Sequence, residues 1–391
     1  MITKLKIFFI FYIFTVIFLF LYSYTQVDLN LTMSQWSIWQ VIQKSFQHIG
    51  YFQRPLSTAI YSVILVLLST FYLIFLWFAK KNKISEKQFW LVLILSSVIL
   101  LFSYNAFSYD LFNYMFDARI FTFHHLDPYQ YKALDFPKDP WINFMRWTHR
   151  TYPYGITWLG LTIPLSYIGM QFFLPTLFLF KALMVGSFLG TVYFLGKILD
   201  KASSPNKLLG LILFAFNPLV VIESLVSSHN DIVMMFLAIF SLYLLLSRKY
   251  LFAILILLLS IGIKFATVFL LPIFIIFFLL SIAIKKVDLS SIAVWSVAAM
   301  IVPLILVSVR TNFQPWYLMY VLPFAFITRK YYIIIPSIII SIGSLLMYIP
   351  FLYLGNWDKP VPEILFGVLI SSIAISFLSV VIWGFKTNKV I

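Results

Sequence analysis

Residues 208–249 read LLGLILFAFNPLVVIESLVSSHNDIVMMFLAIFSLYLLLSRK. Two apolar runs, 208–228 and 232–247, are joined by the short polar turn Ser228-His229-Asn230-Asp231 and closed by Arg248 and Lys249. A helix that spans a bilayer needs about 20 apolar residues, within a range near 17–25. The spacing therefore predicts a helical hairpin in lipid, with a polar turn at one membrane face and a basic turn at the other.

Working outward, the same pattern fills the chain. Of 391 residues, 62% are hydrophobic and only 10% charged. Soluble domains carry about 25% charged residues, and disorder needs the opposite composition. Apolar runs at 7–24, 57–79, 89–107, 171–196, 266–284, 290–309, 331–349 and 363–385 join the two above, with shorter ones at 250–264 and 316–328. Lys4 and Lys6 before Ile7–Tyr24 resemble a signal peptide, but no small-residue cleavage site follows, so the run reads as an uncleaved anchor. The predicted fold is all-α: a polytopic membrane protein of about twelve crossings, one membrane domain over 1–391, with both termini cytoplasmic.

The charge supports that orientation. The net charge is +15, a value that in a soluble chain would point to nucleic acid. Here 17 of the 28 Lys and Arg residues fall in turns that an inside N-terminus places inside: Lys4, Lys6, Lys80, Lys81, Lys83, Lys87, Lys197, Lys201, Lys207, Arg248, Lys249, Lys285, Lys286, Arg329, Lys330, Lys386 and Lys389. The apolar stretch 156–168, short and broken by Pro164, is assigned to the outer face. The resulting outer loop, 108–170, holds five of the 13 acidic residues and is expected to carry short interfacial helices and the catalytic groups. No nucleic-acid partner is expected, and with no cysteine in the chain thiol chemistry is excluded.

Four clusters can carry chemistry. If helix 89–107 continues, Asp110, Asn113, Tyr114 and Asp117 line one face at i, i+3, i+4 and i+7. A carboxylate at the lipid boundary is partly desolvated and suited to act as a base, whereas interfacial acids facing water, or Asp117 pairing with Arg119, are the bland alternatives. The aromatics Tyr129, Tyr152 and Tyr154 fit either a site or a membrane-surface anchor. The Ser228-His229-Asn230-Asp231 turn lines a cavity or site, or else Asn230 or Asp231 caps the following helix. Lys264 and Arg310, with Trp316 and Tyr317 beyond, either snorkel or meet an anionic lipid. Lys181 lies mid-helix, with Glu223 as its candidate partner.

Asp110-Leu111-Phe112-Asn113-Tyr114, Asp127-Pro128-Tyr129, Tyr152-Pro153-Tyr154-Gly155-Ile156-Thr157-Trp158, Asn217-Pro218-Leu219-Val220 with Glu223, His229-Asn230-Asp231, Lys264 and Pro315-Trp316-Tyr317 follow in that order over roughly residues 100–325. In this order the chain resembles the GT-C superfamily of integral membrane glycosyltransferases. It is most similar to the bacterial polyprenol-phosphate-mannose-dependent mannosyltransferases. The resemblance implies an inverting transfer of a hexose, mannose first, from a polyprenyl-phosphate sugar to a hydroxyl of a glycolipid or glycan outside the membrane. Asp110 would be the general base, and Lys264 and Arg310 would stabilise the leaving phosphate. The remaining residues named, Asn113, Tyr114, Asp117, Arg119, Tyr129, Tyr152, Tyr154, His229, Asp231, Trp316 and Tyr317, would hold donor and acceptor. Neither a metal nor a cofactor is expected, only the lipid-linked donor as substrate. A transporter or flippase of lipid-linked sugars is the competing reading; it should place its polar groups near the midplane rather than at one face.

Overall fold

The structure, a computed structural model, describes residues 2–202, 206–283 and 288–387. These form seventeen α-helices with short 3₁₀ and π turns between them, and among the described residues the one β contact is an isolated Lys132–Thr151 bridge. Helix α1 (Ile2–Ser23) shows how lipid sets the pattern. Ile7, Ile10, Phe11, Phe14, Phe18 and Leu21 are exposed at helical spacing, while Tyr12, Val16, Leu19 and Tyr22 are buried on the opposite stripe. The buried stripe meets α3 (Arg54–Lys80) and α4 (Glu86–Leu101) through ring contacts such as Tyr12–Phe75, centroids 5.0 Å apart.

Among the described residues, six helical spans are long and apolar enough to cross a membrane: Leu5–Gln26, Arg54–Lys80, Phe173–Lys201, Leu289–Thr311, Tyr331–Leu354 and Val361–Gly384. The pair Lys207–Ala215 and Pro218–Val226, bent by 55°, is either a broken span, which would make seven, or a re-entrant loop. The other five predicted runs are helical but shorter, as in α4 and α10 (Asp231–Leu246) at 16 residues each and α11 (Tyr250–Ile261) at 12. In α17 (Val361–Thr387), Phe366 and Phe377 are 67% and 69% exposed, surface that only lipid tolerates at this density. The basic turns holding Lys285, Lys286 and Lys389 lie outside the described residues.

Two opposite ends result. At one, Lys207 Nζ meets Glu86 and Asp200 at 2.9 and 3.1 Å, and Lys201, Arg248, Asp288 and Arg329 line one open cavity. At the other stand α2 (Ser37–Gln47), α5 (Asp110–Thr122) and α6 (Ile156–Ile168). Helices α7 (Phe173–Lys201) and α10 run between these ends, packed on each other.

Helix 89–107 does not continue into the acidic stripe. It stops at Leu101, and an irregular stretch follows in which Ser103 Oγ donates to Leu100 O, Tyr104 N to Ser23 Oγ and Asn105 Nδ2 to Ser108 O before α5 begins at Asp110. The stripe survives because α5 is itself helical over all four residues. Residues 27–53 brace this end: buried Asp28 accepts from Tyr109 Oη at 3.1 Å and meets Arg146 at 3.4 Å. Over residues 108–171, Arg119 Nε donates to Asp139 at 2.7 Å and Arg119 Nη1 to Gln171 at 2.9 Å. Its guanidinium lies 4.0 and 4.5 Å from the Phe123 and Trp141 ring centroids.

Candidate active site

The site forms where the broken span ends. Pro218 cannot donate to the preceding turn, and Asn217 Oδ1 accepts from Leu219 N at 3.0 Å, so α8 (Lys207–Ala215) stops and α9 (Pro218–Val221) restarts at an angle. A π turn over Ile222–Val226 follows; its wider winding re-aims the side chains it carries, among them Glu223. Ser228 then takes a left-handed conformation, φ 55°, which reverses the chain into His229.

Lys181 holds this reversal. Its Nζ donates to Leu225 O at 2.8 Å, Ser103 Oγ at 3.1 Å, Val226 O at 3.2 Å and Ser228 Oγ at 3.3 Å. The expected Lys181–Glu223 pair is not formed. Backbone carbonyls freed by the π turn reach the ammonium instead, and Glu223 turns towards His229.

His229 is buried at the centre. Its Nε2 lies 3.0 Å from Ser108 Oγ and 3.8 Å from Asp110 Oδ2, and its Nδ1 lies 3.0 Å from Glu223 Oε2. Tyr348 Oη donates to Glu223 Oε1 at 2.7 Å. The Trp316 indole stacks on the imidazole at 4.0 Å. Asp110, first residue of α5, keeps 15% of its side chain exposed, so it faces both the imidazole and the outside.

Asp231, two residues on, is fully buried, and Lys264 Nζ lies 2.8 Å from each of its oxygens. Lys264 reaches it because two backbones touch. Gly155 N donates to Ile263 O and Thr157 N to Gly262 O. A Cβ on Gly155 would stand 2.2 Å from Gly262 O, so only glycine permits this approach. The contact also sets Tyr154 over Lys264, 5.6 Å from the ring centre. Asn230 does not cap α10 with its side chain; its Oδ1 accepts from Tyr114 Oη at 3.3 Å, and its Nδ2 has no partner among the described residues.

Tyr114, Tyr154 and Trp158 pack edge to face, with Tyr114 5.2 and 5.3 Å from the other two. Burial raises the Tyr114 and Tyr154 phenols well above their ordinary pKa, so both stay neutral donors. Asp117, two turns beyond Asp110, is pushed up to about 7 by burial, with Arg150 opposing and Asp110 adding to the rise. Asp110, Tyr114, Asp117, Tyr154, His229, Asp231, Lys264, Trp316 and Tyr317 thus share one neighbourhood. Tyr317 bonds Thr311 at 2.8 Å and feels the charges of Asp231 and Asp110. Asn113 reaches only back to Tyr109 O, at 3.5 Å. Tyr129 and Tyr152 meet edge to face at the rim, ring centroids 5.0 Å apart.

Arg119 and Arg310 stand apart from it. Arg119 is held by Asp139, and Arg310 is exposed at the end of α13 (Leu289–Thr311) without a partner among the described residues. Among the described residues, no three His, Asp or Glu side chains are grouped to hold a metal ion.

The family model for the alpha-(1->6)-mannopyranosyltransferase N-terminal domain matches residues 31–280, well over half of the 391. The chain belongs to this mannosyltransferase family. Comparisons with curated proteins and with solved structures give no match. The mannosyltransferase match contains Asp110, Tyr154, His229, Asp231 and Lys264; Trp316, Tyr317 and Tyr348 come from beyond it. Sequence reading did not place Ser108, Arg150 or Tyr348 in the site. Ser108 had a local signal, standing two residues before Asp110; Tyr348 had none, since it arrives from 125 residues beyond Glu223.

Proposed function

We propose that this mannosyltransferase-family membrane protein transfers mannose, with inversion, from a polyprenyl-phosphate donor to a hydroxyl of a glycolipid or glycan. The observation that carries this reading is Asp110: a partly exposed carboxylate at a helix start, inside an aromatic wall, at the end of the bundle opposite the basic turns. Asp110 takes the proton from the acceptor hydroxyl as that oxygen bonds to the anomeric carbon. The bond from that carbon to the donor phosphate breaks, and its electrons stay on the phosphate. Preorganised cations favour that departure; Lys264, shared with Asp231, is the candidate within the site, whereas Arg310 is exposed and apart from it and serves only if it swings in. Tyr114, Tyr154, Trp316 and Tyr317 offer faces and phenols to the sugar.

The positive-inside distribution supports twelve crossings, cytoplasmic termini and an extracytoplasmic site. Cysteines introduced at Lys138 and Lys249 test it: a membrane-impermeant reagent applied outside should label the first and spare the second.

The 55° break before Glu223 favours the flippase reading, since broken helices line transporter sites. Against it, the ionisable groups gather at one end of the bundle. Purified protein supplied with radiolabelled polyprenyl-phosphate mannose and a panel of glycolipid acceptors decides. A mannosylated product supports transfer; lipid-sugar movement across vesicles without product supports the flippase.

A further inference from the structure

The proposed transfer uses Asp110 and leaves Glu223 unexplained. Glu223 is fully buried, its Oε1 is held by Tyr348, and its Oε2 faces His229 Nδ1 at 3.0 Å. That approach is too oblique to form a hydrogen bond, and neither atom has another partner among the described residues. A buried carboxylate and a buried imidazole left this way are costly unless a proton lies between them. On its other side, His229 presents Nε2 to Ser108 Oγ and Asp110 Oδ2. Four groups from three parts of the chain therefore follow one another in contact: Tyr348, Glu223, His229 and Asp110.

We infer that Glu223 and His229 form a proton relay behind Asp110, an inference that rests on Asp110 being the base. The relay uses the tautomer with the imidazole proton on Nδ1, the nitrogen facing Glu223 Oε2, which leaves the Nε2 lone pair towards Ser108 and Asp110. When Asp110 has taken the acceptor proton, its O–H bond breaks and the proton passes to Nε2, directly after a small rotation or through the Ser108 hydroxyl. The imidazolium then lies between two carboxylates, Asp110 and Glu223, which stabilise it. Asp110 is ionised again beside the departing phosphate, and the proton leaves through Asp110 to water as product escapes. Trp316 stacked on the ring at 4.0 Å keeps water from Nδ1 and fixes the plane. Tyr348 donates to Glu223 and holds it in place.

The test is the pH dependence of transfer by the full chain in nanodiscs, with polyprenyl-phosphate mannose as donor and each variant's melting recorded. His229→Gln should lower kcat by roughly 100-fold or more and abolish the acid limb of the profile, with donor KM little changed. Glu223→Gln should lower kcat less and move the acid limb to lower pH, because the imidazolium loses its carboxylate. Imidazole should restore part of the activity of His229→Gly. If His229→Gln does not fold, the Glu223→Gln shift decides the matter alone. Wild-type kcat and an unmoved acid limb in folded variants would overturn the relay, as would a change in KM alone. Inactive Asp110→Asn beside fully active His229→Gln removes the relay and keeps the transfer reading; active Asp110→Asn removes the reading itself.

Discussion

Lys264 Nζ stands 2.8 Å from both carboxylate oxygens of Asp231, and Asp231 has no exposed surface. A pair so placed stabilises little against an apolar substitute, because both ions have left water; breaking it from one side is another matter. Lys264→Met strands a buried carboxylate and should cost about 3–5 kcal/mol. Adding Asp231→Asn should recover most of that loss. Thermal unfolding of the single and double variants in detergent checks this, and equal melting of Lys264→Met and wild type would deny the pair.

Asp117 sets a pH dependence of stability. Its folded pKa, pushed up to about 7 by burial, stands above the unfolded value near 3.9. The native state therefore holds the proton more tightly. The favourable contribution is complete below about pH 4 and is lost as pH rises to about 7. Relative to Asp117→Asn, wild type should melt progressively lower across that window. Arg150→Ala should enlarge the loss, since Arg150 favours the ionised carboxylate. Parallel melting curves for wild type and Asp117→Asn would contradict the assignment.

Arg119 is engaged by partners within the chain. It binds Asp139 and Gln171 with different nitrogens and is stacked between Phe123 and Trp141. Lysine cannot reproduce that planar fork. Arg119→Lys should lower stability by about 1–3 kcal/mol with donor KM unchanged at permissive temperature. A raised KM with unchanged melting would return Arg119 to the substrate.

The Gly155–Gly262 approach predicts a defect from a single methyl. Gly155→Ala puts a Cβ 2.2 Å from a carbonyl oxygen, so the two backbones must part. Tyr154 and Lys264 then separate, and transfer should fall by at least tenfold while the protein remains folded. Undiminished transfer would show that the Tyr154–Lys264 neighbourhood is not used.

Much of this was legible because lipid imposes a simple rule on sequence. The predicted apolar runs fell on helices except 316–328, which forms a 3₁₀ turn and a four-residue helix, and the basic turns that are described lie at the end away from Asp110. The acidic stripe was read correctly as one helix face, although its helix begins anew at Asp110. What failed were partnerships made by irregular backbone. The π turn after Pro218 gave its carbonyls to Lys181 and turned Glu223 elsewhere; no residue spacing encodes that. Arg119 looked like a substrate contact because Asp139, twenty residues on, is brought to it only by the folding of the loop. The joining of Tyr154 to Lys264 through two glycines was equally hidden, since neither glycine stands in a recognisable turn motif.

The central claim is that Asp110 removes the acceptor proton. Single-turnover transfer with Asp110→Asn, saturated with polyprenyl-phosphate mannose and acceptor, tests it most directly. Asparagine keeps the shape and cannot take the proton. The rate should fall by about 100-fold to 10,000-fold while donor binding is retained. A single-turnover rate equal to wild type would contradict the account.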